Sequence, residues 1–250
     1  MNFSAKGCIY RKLSGVLYVP EIITFSLLGL LFVFAPVSYG SPEPGHISGN
    51  ITVFQKKLFG KSKKKRDMGG VLVYITGFKS EAPGEIPDLI QKNRSFSPGV
   101  LPIVAGQNVR FPNKDDIYHN VFSISHTKSF DLGQYKRTEP PETVLFEKPG
   151  LVSVFCNIHP QMIAYVVVLE NNAYAMTHTD GTFQIRDVPS GAYTINVWLP
   201  NAERATRQVL IKPGRRSIIN LEISETIKMI PHKRKDGSKY PMTEHRIYEN

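Results

Sequence analysis

The chain has 250 residues, with 31 lysine and arginine side chains against 21 aspartates and glutamates, and a formal net charge of +10. Its 41% hydrophobic content is enough to bury a core, which excludes wholesale disorder. Two cysteines are too few for a disulfide framework or for a zinc site with four thiolates. A single tryptophan among many valine, isoleucine, threonine and tyrosine residues favours strands over long helices.

Residues 1–40 are predicted to be an export signal. A segment with the basic residues Lys6, Arg11 and Lys12 precedes an uncharged apolar run from Ile22 to Val37. Small residues follow that run. The run has 16 residues, fewer than the about 20 that a membrane-spanning helix needs. We therefore expect a cleaved signal and a periplasmic or otherwise exported protein. The alternative is an uncleaved segment that anchors the protein in a membrane.

After this segment the pattern is that of an all-β protein. Short alternating or apolar runs, separated by turn residues, recur as far as residue 225 and predict sandwiches or a barrel. Asp180-Gly181 lies between two alternating runs and predicts a hairpin. Residues 226–250 show no periodicity, and we expect a basic, flexible tail there.

A basic run from Lys56 to Arg66 holds seven cationic side chains and no acidic one. Such a run is typical of a solvated hairpin loop. The alternative is that it binds an anionic partner or a membrane surface. Nucleic-acid binding is not expected, because an exported protein rarely meets nucleic acid.

One short segment concentrates the residues that bind soft metal ions. Cys156, His159 and Met162 follow an apolar strand at spacings of three, and thiolate, imidazole and thioether together favour copper. His119, which opens another strand, is the candidate for a second imidazole. Two histidines and one cysteine around a metal, with a weak axial methionine, form a blue-copper site. The sequence therefore predicts one mononuclear type 1 copper site.

From about residue 86 to residue 170, these motifs resemble those of the cupredoxins, the family of plastocyanin, azurin and amicyanin. The spacing is similar to that of amicyanin, with two residues between Cys156 and His159, proline after the histidine, and two residues before Met162. The resemblance implies a Greek-key β-sandwich over residues 81–170. It also implies that these three residues and His119 are the copper ligands, and that Asn120 ties the two ligand loops together.

A second resemblance concerns the flanking segments. The motifs at residues 179–183 and 188–193 resemble the carboxypeptidase regulatory-like module, a small transthyretin-like β-sandwich. The opening strands of that module match residues 46–54 and 71–78, on the far side of the cupredoxin-like segment. We therefore expect residues 41–80 and 171–225 to form one split sandwich into which the cupredoxin is inserted. A tandem arrangement is the alternative, and the pairing of residues 71–78 distinguishes the two.

Three functions are compatible with these patterns. The first is one-electron transfer through copper, with a redox protein as the partner. The second is carriage or storage of copper, and the third is a non-redox binding module with a structural metal. An enzyme is not expected, because Met162 would fill the open coordination position that a catalytic metal needs.

Overall fold

The fold is all-β, as the sequence predicts. The computed structural model describes residues 43–56, 61–226 and 232–239, which contain 17 strands and no helix. Within these ranges, therefore, no helix could cross a bilayer. The predicted export signal, residues 1–40, lies outside the described residues. The strands in chain order are β1 (Gly45–Lys56), β2 (Lys63–Lys64), β3 (Leu72–Thr76), β4 (Ile90–Lys92), β5 (Ser95–Ser97), β6 (Val100–Val104), β7 (Gln107–Phe111), β8 (His119–Ile124), β9 (Ser129–Tyr135), β10 (Glu142–Phe146), β11 (Gly150–Cys156), β12 (Ile163–Leu169), β13 (Tyr174–Met176), β14 (Thr182–Val188), β15 (Gly191–Trp198), β16 (Ala205–Ile211) and β17 (Arg216–Thr226).

The first and last strands of the chain form one sandwich, which we call the outer sandwich (β1–β3 and β13–β17). One of its sheets has the order β14-β1-β17, with β2 paired to β1, and the other has the order β13-β3-β15-β16. β1 runs parallel to β17 and antiparallel to β14. Because successive residues of a strand point to opposite faces, alternate side chains such as Ile47, Ile51, Val73 and Ile195 meet in a buried core.

The Asp180-Gly181 turn does not join a hairpin. Gly181 has a φ of 85°, and its N–H donates to the carbonyl of His178 at 2.8 Å, so the chain does reverse tightly. The flanking strands then separate: β13 pairs with β3, whereas β14 pairs with β1 in the opposite sheet. The hairpin prediction is wrong, because turn residues specify a reversal but not the sheet that each strand joins.

The middle of the chain forms a second sandwich, the inner sandwich (β4–β12). Its main sheet has the order β6-β12-β11-β8-β9, with β6 parallel to β12. The pairs β7-β10 and β4-β5 pack on one face of this sheet. The core between them includes Val109, Phe111, Phe146, Val154 and Val166. Residues 81–170 thus hold a β-sandwich with its own core.

The main sheet of the inner sandwich is buried on its other face as well. Along β12, Val166 and Val168 point into the inner core, while Val167 and Leu169 point outwards. The outward side chains meet Trp198 of the outer sandwich in a third apolar cluster. The same Trp198 ring packs edge-on against the ring of Tyr165, with centroids 5.5 Å apart. Burial of both faces explains why β12 is apolar throughout instead of alternating.

The inner sandwich enters and leaves the outer one at a single point. The N–H of Ser80 donates to the carbonyl of Glu170, and the N–H of Asn172 donates to Oγ of Ser80, both at 3.1 Å. The pairing of β3 distinguishes a nested arrangement from a tandem one. β3 pairs with β13 and β15 of the outer sandwich. This is the pairing that a nested arrangement predicts, and a tandem arrangement would not produce it.

Replacing Trp198 with alanine is expected to destabilise the chain by about 3–5 kcal/mol, the usual cost of removing a buried aromatic side chain. Trp198 is only 8% exposed and packs between the two sandwiches. Leu210→Ala on the neighbouring strand is the control, because Leu210 is 59% exposed. Its effect should stay within about 0.5 kcal/mol. Urea unfolding at constant pH measures the free energy of unfolding of both variants. Equal losses in the two variants would contradict the packing role of Trp198.

Candidate metal centre

Strand pairing brings His119 and Cys156 to the same end of the main inner sheet. His119 opens β8, and Cys156 is the last residue of β11. The two strands are antiparallel neighbours, with Cys156 opposite Val121. His119 and Cys156 are both fully buried. The upstream histidine and the cysteine therefore meet because two distant strands lie side by side.

The third residue is carried by the loop of residues 157–162 between β11 and β12. The N–H of Met162 donates to the carbonyl of His159 at 3.0 Å, which closes a tight turn. The N–H of Cys156 donates to the carbonyl of Met162 at 3.2 Å and closes the base of the loop. These two bonds hold the His159 side chain beside Cys156.

Three donor atoms converge at this point. Nδ1 of His119 and Nδ1 of His159 lie 3.0 Å apart. Sγ of Cys156 lies 4.0 Å from the first nitrogen and 3.8 Å from the second. All three atoms fall within 4.8 Å of one another, and they form the one such His/Cys/Asp/Glu group found among the described residues.

The donor set has the dimensions of a metal site. A single ion about 2.3 Å from sulfur and about 2.0 Å from nitrogen needs sulfur–nitrogen separations near the observed 3.8 and 4.0 Å. One thiol sulfur with two imidazole nitrogens is a set suited to copper or zinc. The residues present therefore fit a single soft or borderline ion.

Burial raises the pKa of the Cys156 thiol, so the folded chain disfavours an uncompensated thiolate there. Backbone N–H groups of Asn120, Ile158 and His159 oppose that shift. The Ile158 nitrogen lies 3.4 Å from the sulfur. A positive ion between the three donors would supply the missing compensation for the buried sulfur charge.

The His159 side chain is half-buried, and its imidazole is neutral near pH 7. Burial, together with the neighbouring His119 and Arg94, lowers the pKa of His159 to about 4. A neutral imidazole keeps a lone pair on one ring nitrogen, which is what a metal ligand requires.

Met162 is fully buried and belongs to the same apolar cluster as Cys156. Its backbone closes the loop at both hydrogen bonds described above. The structure thus places Met162 at the base of the loop next to Cys156, and the predicted axial role of its sulfur stays a prediction.

Asn120 bonds to both a neighbouring strand and Cys156, and its predicted role of tying the two ligand loops together stays a prediction. Its side-chain nitrogen donates to Oδ1 of Asp131 and to the carbonyl of Gly133, each at 2.7 Å. These partners belong to β9, so the side chain ties β8 to the edge strand and not to the loop of residues 157–162. The backbone N–H of Asn120 bonds to Cys156, the last residue of β11.

Asp115 is a residue that the sequence reasoning missed, because aspartate is common in turns. Its Oδ2 lies 2.8 Å from Nε2 of His119, on the side of the ring away from the donor cluster. Burial opposes ionisation, but hydrogen bonds from Arg94, His119 and Asn93 lower the pKa of Asp115 below its usual value. The carboxylate is therefore charged at neutral pH. A carboxylate four residues before the candidate ligand His119 is the sequence feature that could have identified Asp115.

Part of the predicted tail lies against the loop of residues 157–162. Residues 232–239 contain no strand, and the N–H of Lys235 donates to Oδ1 of Asn157 at 2.9 Å. The Lys235 ammonium donates to Oδ2 of Asp131 at 2.7 Å, and the ring of His232 stacks on Phe155 with centroids 4.4 Å apart. The absence of periodicity predicted the lack of a strand but not these contacts.

The basic run between Lys56 and Arg66 is partly folded against the outer sandwich. Two of its residues, Lys63–Lys64, pair with the end of β1. Lys56 forms an ion pair with Glu203, and Lys65 forms one with Glu225 at 2.9 Å. Residues 57–60 lie outside the described residues. Some of the cations are therefore neutralised within the chain.

A family model described as "ER membrane protein complex subunit 7, beta-sandwich domain" matches residues 158–245, less than half of the chain. The matched region begins in the loop of residues 157–162 and continues through and beyond β17. The family is a β-sandwich domain, but it is not the carboxypeptidase regulatory-like module that the motifs resemble, so the match corrects that assignment. The comparison with curated proteins gives no match.

Several solved structures are similar to part of the chain. The copper-containing nitrite reductase NirK from Thermus scotoductus SA-01 is 26% identical, with a TM-score of 0.33 over 38% of this chain and 25% of that chain. This chain therefore spans a quarter of that reductase. A purple cupredoxin from Nitrosopumilus maritimus is 24% identical, with a TM-score of 0.30 over 34% of this chain and 100% of the other. A reduced amicyanin variant is 20% identical, with a TM-score of 0.32 over 39% and 98% of the two chains.

The metal-free protein is expected to lose stability as the pH falls from about 6.5 towards 4. His159 has a pKa of about 4 in the folded chain, whereas an unfolded histidine titrates near its ordinary value of about 6.5. Between these values the unfolded chain binds more protons, so acidification favours unfolding. Urea unfolding of the metal-free chain measures this slope, and His159→Asn, which does not titrate, should flatten it. An unchanged slope in the variant would contradict the low pKa.

Proposed function

We propose that this chain is an exported type 1 copper protein that transfers single electrons. The observation that carries the proposal is the convergence of two imidazole nitrogens and one buried cysteine sulfur within 4.8 Å. Two histidines and one cysteine, with a buried methionine beside them, form the donor set of a blue-copper electron-transfer site. We assign His119, Cys156, His159 and Met162 as the ligands.

When bound, copper supplies the one-electron chemistry, cycling between Cu(I) and Cu(II). The chain supplies a donor set whose positions are held independently of the metal. Cys156 ends a strand that is paired on both sides, and the loop that carries His159 is closed by two backbone hydrogen bonds. Donors held in this way move little between oxidation states, which keeps the reorganisation that accompanies each electron small.

The two histidines differ in their exposure. His119 is fully buried behind the donor cluster, whereas His159 is half-buried at the protein surface. The edge of the His159 ring is therefore the shortest route between the donor cluster and a redox protein that docks on the loop. We propose this edge as the port for electrons.

Two alternative functions use the same site differently. A copper carrier would exchange the metal, and further donor clusters along a transfer route would favour it; one cluster is present among residues 43–56, 61–226 and 232–239. A binding module with a structural metal would hold zinc as well as copper, because the donors suit both. A reversible midpoint potential in the copper form distinguishes electron transfer from these two functions.

We propose that the protein is not an enzyme and that it works outside the cytosol. Met162 would fill the coordination position that substrate needs at a catalytic metal. The predicted export signal supports a secretory or membrane-associated location, and the matching family is named for a membrane protein complex. The basic residues between Lys56 and Arg66 that form no ion pair within the described part of the chain offer a surface for an anionic partner or a membrane.

The copper-loaded protein is expected to show an intense visible absorption band, because a thiolate bonded to Cu(II) transfers charge to it. Cys156→Ser should abolish the band, since serine offers no thiolate. Met176→Leu, a change in the cluster between the two sandwiches and away from the donors, should leave the band unchanged. Absorption spectroscopy with a copper assay measures both variants. A colourless wild type that contains one copper ion per chain would refute the proposal.

Met162→Gln is expected to lower the midpoint potential while copper stays bound, because the axial ligand of such a site tunes its potential. Met176→Gln is the matched control, since Met176 packs in the cluster between the two sandwiches and not with the donors. Its potential should equal that of the wild type. Protein-film voltammetry measures both, and equal potentials in the two variants would rule out an axial role for Met162.

A further inference from the structure

A carboxylate on the far side of the ring sets the direction of the His119 imidazole. Oδ2 of Asp115 lies 2.8 Å from Nε2 of His119. A carboxylate only accepts hydrogen bonds, so Nε2 carries the ring hydrogen and donates it. Nδ1 is then left with its lone pair, and it is this atom that lies 3.0 Å from Nδ1 of His159 and 4.0 Å from Sγ of Cys156.

The Asp115 carboxylate is itself held in place by a different part of the chain. Its Oδ1 accepts the N–H of Asn93 at 2.8 Å, and its Oδ2 accepts the N–H of Arg94 at 3.0 Å. These two residues form the turn between β4 and β5, where both have positive φ angles, 54° and 55°. The side chain of Asp115 is 14% exposed. Both oxygens are engaged, so the carboxylate cannot rotate away from His119 without losing a hydrogen bond.

The neighbouring Asp116 has none of these contacts. Its side chain is 83% exposed, and its carboxylate lies 3.3 Å from the guanidinium of Arg137. The two residues carry the same charge at adjacent positions, but only one of them touches a donor of the cluster. Asp116 therefore provides a control for the effect of removing a negative charge from this segment.

We propose that Asp115 is a positioning residue of the metal centre: it holds His119 with Nδ1 towards the ion and stabilises the oxidised metal through its charge. The inference rests on the proposed function. A carboxylate that accepts the second N–H of a ligand histidine fixes the ring orientation and makes the imidazole a stronger donor. A stronger donor and a nearby negative charge both favour Cu(II) over Cu(I), which lowers the midpoint potential. The turn at Asn93 and Arg94 thereby becomes part of the support of the site.

The first experiment uses the metal-free protein and determines which ring nitrogen of His119 carries the hydrogen. Nitrogen-15 NMR distinguishes the imidazole nitrogen that carries hydrogen from the one that does not. The wild type, Asp115→Asn and Asp116→Asn should show one tautomer with hydrogen on Nε2, because the asparagine carbonyl still accepts the bond. Asp115→Ala should show a mixture of tautomers. A single Nε2–H tautomer in Asp115→Ala would overturn the positioning role.

The second experiment measures copper affinity and midpoint potential in the same four proteins. Asp115→Ala should bind Cu(II) about 10–100-fold more weakly, the usual effect of losing such a partner. Each tenfold loss of Cu(II) affinity relative to Cu(I) raises the potential by about 59 mV. Asp115→Asn, which loses the charge but keeps an acceptor, should also raise the potential, whereas Asp116→Asn should not. A residue that only capped the turn would change stability and leave the potential unchanged.

The two experiments separate this inference from the proposed function. If the wild type binds copper without an intense visible band, the proposed function fails, and the NMR result still decides whether Asp115 orients His119. If the wild type is blue and both Asp115 variants match Asp116→Asn in potential, the inference fails and the proposed function stands.

Discussion

Strand β12 of the five-stranded sheet β6-β12-β11-β8-β9 buries apolar side chains on both of its faces, and the packing of the two sandwiches depends on that constraint. One face forms the inner core with Val154 and Val166, and the other meets Trp198 of the outer sandwich. A strand buried on both sides has little freedom to shift, because any movement would open voids in two packed cores. β11 pairs with this strand and ends at Cys156, and β8 pairs with β11 and begins at His119, so the two residues lie on strands held by that packing.

Bringing a thiol and two imidazoles together inside a protein costs free energy unless each group is partnered. Here the partners are specific. Backbone N–H groups bond to Cys156 and the Asp115 carboxylate bonds to His119, while burial keeps His159 uncharged at neutral pH. The donor atoms are consequently assembled before any metal arrives, which reduces the rearrangement needed for binding.

Three segments far apart in the chain contact the residues around the His119, Cys156 and His159 donor cluster. The turn between β4 and β5 holds Asp115, the edge strand β9 holds the side chain of Asn120, and residues 232–239 reach Asn157 on the loop. The last of these contacts comes from chain that follows β17 of the outer sandwich. The outer sandwich is thus connected to the centre twice, through the packed face of the main sheet and through the segment that returns to the loop.

The all-β class and the grouping of Cys156, His159 and Met162 could be predicted from the sequence, because alternation and short spacing are local properties. The resemblance of the flanking motifs also predicted that residues 71–78 pair outside the inner sandwich, and β3 pairs with β13 and β15. The packed fold settled which sheet each strand joins, as β13 and β14 show on either side of one tight turn. It likewise decided where the side chains of Asn120, Asp115 and Lys235 bond. The reason is physical: periodicity specifies which face of a strand is buried, whereas a hydrogen bond requires two groups at a set distance and angle, and those follow from packing of segments far apart in the chain.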